Sequence, residues 1–287
     1  MTAIRKAQYA VKEMADATNV LETLAGQRGR AFSHGMECNE DPARFPELGY
    51  CIYREGLSPQ ELTTYSAYVD DALTAGRPLG EMHAFDASWR LLCCHPKILR
   101  ALQVCLATPE LILFFSSAFV KRPHDAKRVE WHQDNTYWPA ISGTDVVTVW
   151  VALDDVDEDN SCMHVVPRSH EGYRELEMLP VEDKAGAMLG RRVEITDQMS
   201  ASAVPLVLNT GQFSIHDSHL VHGSGPNHSA RRRAGYTIRY GNALTTKVDV
   251  ALHKYGDHEA LPVYYVRGDG AGLHEGYEDV RALSAEW

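Results

Sequence analysis

The sequence has little of what marks a secreted, membrane-spanning or nucleic-acid-binding chain. No run approaches the about 18 consecutive apolar residues that a spanning helix needs. The N-terminus carries no apolar signal core, and the C-terminal Ser-Ala-Glu-Trp is not a peroxisomal address. A cytoplasmic location with no membrane partner is the resulting expectation. Cysteine is sparse, with six residues at positions 38, 51, 93, 94, 105 and 162 and no C-x-x-C pair. A disulfide framework is not expected in a chain of this length, and these residues read as reduced, buried small hydrophobes. Positive charge is also short: 28 Lys and Arg stand against 39 Asp and Glu, a net charge of -11. That balance argues against sequence-independent attraction to nucleic acid and leaves a small molecule as the expected partner. There is no internal repeat and no low-complexity tract.

What is present reads as a single domain over 1–287, mainly β with flanking helices. Residues 2–24 place Ile4, Val11, Met14, Leu21 and Leu24 at helical spacings, and residues 32–48 read as loop. Gly49 to Tyr53 is a short strand. Ser58-Pro59-Gln60-Glu61 then has the signature of a capped helix start, followed by a stripe of Leu62, Tyr65, Val69 and Leu73. Pro96 to Ala107 repeats the helical pattern. From Leu111 the texture changes to short β-rich runs: 111–121, 146–153, 163–166, 204–208, 213–215 and 235–240. Such a series predicts a double-stranded β-helix, the jelly roll of cupin-type proteins. The expected division is a helical buttress over 1–110, a jelly-roll core over 111–250 and a C-terminal tail over 251–287. Residues 182–203 read as a long loop near the barrel mouth, either a lid or a variable surface loop.

The chemistry concentrates in two stretches. In Trp131-His132-Gln133-Asp134, side chains at i and i+2 of a strand leave by one face, so His132 and Asp134 can converge on one cation while Gln133 points away. The second stretch carries His216, His219 and His222. By strand parity His216 and His222 share a face if the strand stays regular between them. Two histidines and a carboxylate with open positions suit a non-haem Fe(II) oxygenase, and they also suit zinc.

Several ordered blocks sharpen the choice: Lys121-Arg-Pro, Trp131 to Asp134, Thr148 to Asp155, Val166-Pro-Arg-Ser-His170, and His222-Gly-Ser-Gly-Pro-Asn227 with Arg233 beyond. In these the chain resembles the phytanoyl-CoA dioxygenase family of Fe(II)- and 2-oxoglutarate-dependent oxygenases. The resemblance implies the jelly-roll fold and a metal set of His132, Asp134 and His222, with His216 and His219 as wall or surface residues. It implies O2 and 2-oxoglutarate as cosubstrates, with ascorbate as an activator in vitro. Arg233, eleven residues after His222, is implied as the partner of the distal 2-oxoglutarate carboxylate, with Ser224, Trp150 and Ser117 as further contacts. A guanidinium fits that role because it offers a carboxylate two parallel hydrogen bonds. The chain departs from the family pattern at Arg168, where a glycine usually precedes Ser-His, which leaves the local turn open. The implied reaction is hydroxylation of an unactivated C–H with release of succinate and CO2. Desaturation, epimerisation or cyclisation are alternatives, and a non-oxidative metal-dependent cupin is the rival class. Asp134 argues against a halogenase, in which that carboxylate is typically absent. Tyr137 and Trp138 are either core aromatics or walls of the substrate pocket.

Overall fold

The computed structural model describes residues 38–254 and 260–287, so the helix expected over 2–24 lies outside the described residues. A single helical turn, Phe45–Leu48, leads into strand β1 (Tyr50–Tyr53) through Gly49, whose φ of 77° is left-handed backbone that favours glycine. Helix α1 (Pro59–Thr74) starts as its sequence predicts. Ser58 Oγ accepts the Glu61 N–H, and the Glu61 carboxylate accepts the Ser58 N–H. Its buried stripe is Leu62, Tyr65, Val69 and Ala72, with Leu73 only partly buried. Helix α2 (Ala87–Cys93), capped by the Asp86 side chain, was not foreseen, and it is too short to display a period. Helix α3 (Pro96–Cys105) follows, capped by His95.

The strands then run β2 (Leu111–Lys121), β3 (Val129–His132), β4 (Ile141–Ser142), β5 (Val146–Ala152), β6 (Met163–Val165), β7 (Met178–Pro180), β8 (Arg191–Val193) and, after helix α4 (Asp197–Ser202), β9 (Val204–Leu206). They continue as β10 (Phe213–Asp217), β11 (His222–Ser224), β12 (Arg233–Asn242), β13 (Lys247–Val248), β14 (Val263–Arg267) and β15 (Tyr277–Asp279). Seven form one sheet in the order β1-β10-β5-β12-β2-β14-β15, and four form a second in the order β3-β11-β6-β9. Trp150 and Ala152 of the large sheet pack with Met163, Val165 and Leu206 of the small one. This is the double sheet of the jelly roll.

Two expectations are corrected. Residues 182–203 are not a structureless loop, because β8 pairs antiparallel with β7 and α4 follows. Residues 251–287 are not a tail: β14 pairs with β2 inside the large sheet, and β15 joins it in parallel.

The large sheet has an apolar outer face, and an inner one that is apolar in part and carries the polar residues of the cavity. Val147, Val149 and Val151 of β5 pack outward with Leu62, Trp89, Leu99 and Leu102 of the helices. Thr148 and Trp150, one residue out of phase, point inward, as the two-residue period of a strand requires. Every residue of β5 is buried, so its sequence shows an apolar run in which the inward pair is not obvious.

Candidate active site

His132 closes β3 and lies directly across from His222 at the start of β11, with ring centroids 4.1 Å apart. Both rings are oriented by their own backbone. Nδ1 of His132 is 2.7 Å from the Glu130 carbonyl, and Nδ1 of His222 is 2.9 Å from the Leu220 carbonyl. A carbonyl only accepts, so each Nδ1 carries a proton, and Nε2 is the atom each ring can offer to a metal. Burial, followed by the neighbouring His132 and His216, pushes His222 well below the usual histidine range and keeps it neutral.

Asp134 stands at the first position of a 3-10 turn, Asp134–Tyr137, just past the end of β3. Gln133 between them keeps extended backbone at φ -112°, so the i, i+2 relation survives although the strand has ended. The Gln133 side chain points away, donating to the Arg174 and His219 carbonyls and accepting the Leu176 N–H. Asp134 Oδ1 lies 3.4 Å from His132 Nε2 and 3.7 Å from His222 Nε2. Its Oδ2 accepts the Thr148 hydroxyl at 2.5 Å and sits 3.5 Å from His216 Nε2. Burial, the largest influence, would raise this carboxyl, but the neighbouring His132 and His216 rings and the Arg239 charge outweigh it and hold it well below the usual range. The ligand atoms of His132, Asp134 and His222 lie within 4.8 Å of one another, all three residues being buried. Two imidazole nitrogens and a carboxylate oxygen on one cavity wall fit a divalent iron.

His216 is beside this set and outside it. It comes from β10 in the large sheet, whereas His222 comes from β11 in the small one. The two rings still approach to 4.4 Å, so they meet across the sheets and not along one regular strand. His219 turns away, with Nδ1 3.5 Å from Asp217 and its ring against Tyr173.

A cavity of about 400 Å³, including its open mouth, runs from these residues to Arg233 at the start of β12. Of the three consecutive arginines, Arg231 binds both Asp157 oxygens at 2.7 Å, and Arg232 binds Asp154, Asp70 and Ser66. Arg233 turns inward, 2 % exposed, with Nε unpartnered and its guanidinium 4.7 Å over the Trp150 ring. Burial lowers it to about 10, still charged at neutral pH. Trp150 can lie there because Gly235 has no side chain: a Cβ at that position would be 1.9 Å from the indole. Ser224 lines the same cavity and accepts from Lys121 Nζ at 2.7 Å. Burial, then the Arg233 charge, lowers Lys121 to about 7. Ser117 is not among the lining residues, and its hydroxyl donates to the Ser116 carbonyl.

Other singled-out residues have structural places. Arg168 takes the left-handed conformation, φ 68°, that glycine adopts without cost. Its exposed side chain bridges Glu47 and Glu171. His170 is buried against the Pro46 carbonyl. Tyr137 packs edge-on to His132, and Trp138 belongs to a cluster with Phe114 and Phe115. Sequence reasoning missed Thr148, Thr237 and Arg239 as cavity residues. The signal for the last two was parity: counting by two from Arg233 reaches Gly235, Thr237 and Arg239.

A family model described as phytanoyl-CoA dioxygenase matches residues 45–235, which include His132, Asp134, His222 and Arg233, while Thr237 and Arg239 lie just past its end. The chain belongs to the phytanoyl-CoA dioxygenase family. Among curated relatives, the peroxisomal phytanoyl-CoA dioxygenase of Bos taurus is 26% identical over 161 residues, covering 55% of this chain and 47% of that protein. A "Probable alpha-ketoglutarate-dependent hypophosphite dioxygenase" of Stutzerimonas stutzeri is 30% identical over 155 residues, 54% of this chain and 53% of that one. The chain thus spans about half the length of these two curated relatives. Among solved structures, the apo non-heme monooxygenase ThoJ aligns with a TM-score of 0.65 and 24% identity over 83% of this chain and 86% of that one. The epimerase SnoN, in complex with Fe3+, alpha ketoglutarate and nogalamycin RO, aligns at 0.62 and 22% identity over 83% and 93%. At these identities the solved structures speak to the fold. Family membership and the His-Asp-His triad together support iron and 2-oxoglutarate as the cofactor and cosubstrate.

Proposed function

We propose that this member of the family is an Fe(II)- and 2-oxoglutarate-dependent dioxygenase that hydroxylates an unactivated C–H of a small metabolite or natural-product scaffold. One observation carries this reading: an unpartnered, buried guanidinium, Arg233, shares a cavity with His132, Asp134 and His222. A non-oxidative metal cupin gives that arginine no role. A 2-oxoglutarate enzyme needs a fixed cation at this place. His132, Asp134 and His222 would hold the iron, and Arg233 would bind the distal carboxylate of the cosubstrate. When bound, iron and 2-oxoglutarate would supply an O2-dependent oxidation in which one oxygen atom ends in succinate, released with CO2, and the other in the hydroxylated substrate.

The chain's own residues do the rest by positioning. The Glu130 and Leu220 carbonyls fix both rings with Nε2 toward the cavity. Thr148 holds Asp134 Oδ2, leaving Oδ1 turned to the histidines. The Trp150 ring covers the Arg233 guanidinium at 4.7 Å. Phytanoyl-CoA is a poor candidate for the substrate, because Arg231 and Arg232 are tied up in ion pairs and leave few free cations for CoA phosphates. Assaying succinate release with Fe(II), ascorbate and 2-oxoglutarate tests the proposal. Succinate should form in proportion to 2-oxoglutarate consumed and should vanish in His222→Ala. Absence of any 2-oxoglutarate turnover or binding by the iron-loaded wild type would sink it.

A further inference from the structure

The cavity contains a second arginine to which the cosubstrate reading assigns nothing. Arg239 lies on the same face of β12 as Arg233, six residues on, which is about 20 Å of strand. It is 8 % exposed. Its Nη1 donates to Thr237 Oγ1 at 2.6 Å, and Thr237 in turn donates to the Ser117 carbonyl, so the guanidinium is tethered. Its Nε has no partner, and among the described residues no carboxylate forms an ion pair with it. The flanking surfaces are aromatic, with the Trp138 ring at 5.7 Å and the Phe119 ring at 6.0 Å. A buried cation in such surroundings is unfavourable unless an anion comes to meet it.

The two arginines have different neighbours. Arg233 acts electrostatically on Lys121 and Cys162, at the far end from the metal set. Arg239 acts on Asp134 and Glu81. Its register explains this: Arg239 pairs with Thr148, which holds Asp134, and Thr148 pairs with His216. Glu81 makes no direct ion pair with it: the Glu81 carboxyl accepts the Ser116 N–H and lies 3.8 Å from His83 Nδ1. In the loaded site, ferrous iron and Arg233 together balance Asp134 and the 2-oxoglutarate dianion. Of the two cavity arginines, Arg239 is the one left over.

We propose that Arg239, braced by Thr237 and walled by Trp138 and Phe119, is the anchor for a carboxylate on the primary substrate. This rests on the oxygenase reading above and narrows the substrate class to anionic small molecules that present a carboxylate beside an apolar body. The planar fork of Arg239 pairs with the carboxylate, and the aromatic walls take the body. The substrate then enters on the Arg239 side of the metal, and the cosubstrate lies on the Arg233 side.

The experiment uses the anaerobic Fe(II)–2-oxoglutarate complex and follows its charge-transfer band. The probes are acetate, hexanoate and phenylacetate, each matched with its neutral amide. At least one carboxylate should perturb the band saturably, with its amide binding at least about tenfold more weakly, a difference of about 1.4 kcal/mol. Arg239→Gln should lower carboxylate affinity by at least the same factor, and Arg239→Lys should restore it only in part. Equal binding of carboxylates and amides, no binding of any probe, or unchanged carboxylate affinity in Arg239→Gln would overturn the proposal. So would a comparable shift of the 2-oxoglutarate midpoint in Arg239→Gln, since that would place the residue on the cosubstrate. The amide comparison needs only the wild type, so a misfolded variant does not rescue the idea. If the wild type forms no 2-oxoglutarate band at all, the oxygenase reading has failed first, and the two failures are distinguishable.

Discussion

Strand β12 has two faces that are equally buried and chemically opposite. Arg233, Gly235, Thr237 and Arg239 point into the cavity, while Ala234, Tyr236, Ile238 and Tyr240 point into the helix-covered core. On the core side Tyr236 packs against Trp89 and Tyr240 donates to the Cys93 carbonyl. On the cavity side two guanidinium Nε atoms have no partner. Burial therefore does not distinguish fold from function here. Along this strand unspent hydrogen-bonding capacity does, since the only unpartnered buried side-chain atoms of β12 among the described residues are Nε of Arg233 and Arg239, both on the cavity face.

The sharpest break of that comparison lies across the cavity from β12, at the metal set. His132→Ala, Asp134→Ala and His222→Ala should each abolish turnover and weaken ferrous binding, because each removes one of three converging ligand atoms. His219→Ala should keep measurable turnover, since its ring faces Asp217 and Tyr173. Ferrous titration of all four variants checks this. If His216→Ala lost iron while His222→Ala kept it, the third ligand would be misassigned.

Next in size is Arg233→Ala on the cavity face. Losing one partner of a charge-assisted bidentate pair costs on the order of 2–5 kcal/mol, roughly 30-fold to several thousand-fold in 2-oxoglutarate affinity. Iron should still bind, and Arg233→Lys should rescue only in part. Arg231→Ala and Arg232→Ala serve as controls, because their partners are Asp157, Asp154 and Asp70 on the far side. The midpoint of the anaerobic charge-transfer titration decides it, and an unchanged midpoint in Arg233→Ala would remove the residue from the site. The core face gives the complementary result. Ile238→Ala should cost about 2–5 kcal/mol of stability in denaturant unfolding. Its 2-oxoglutarate midpoint should stay near wild type, and a large shift there would mean that the two faces are coupled.

Much of this was legible in the sequence where a local rule applies. The capping box at Ser58, the long run of β2 and the i, i+2 pair His132 and Asp134 depend only on neighbours along the chain. What was not legible depends on long-range packing. β14 is a short run that becomes a strand only because β2 offers it an edge. The meeting of His216 and His222 is made by two sheets facing each other, so parity along one strand predicted the right proximity for the wrong reason. Arg168 adopts a glycine conformation at a turn whose backbone N–H donates to the Leu48 carbonyl, far away in sequence. Arg239 was hidden by an all-buried strand whose inward residues only a count from Arg233 would separate.

The smallest expected effect concerns Glu81, which lies between the two faces. Its carboxylate accepts the N–H of Ser116, a residue paired with Ile238 on the core side, while Arg239 on the cavity side attracts it. Burial dominates and raises it from 4.5 to about 7. A raised folded value means that the folded protein holds this proton more tightly than the unfolded chain. The resulting stability is complete below pH 4.5, falls as pH rises through about 7 and is then gone. The difference corresponds to about 3 kcal/mol at about 1.36 kcal/mol per pH unit. Glu81→Gln keeps an acceptor for the Ser116 N–H and cannot ionise. Its stability relative to wild type should therefore increase between pH 5 and pH 7 and level off above. Urea unfolding of both proteins at pH 5, 7 and 8 isolates the contribution as a difference, free of other titrating groups. Parallel pH profiles would show that Glu81 stays ionised in the fold, paired closely enough with Arg239 to offset its burial, and would leave that arginine with no charge to spare for a substrate.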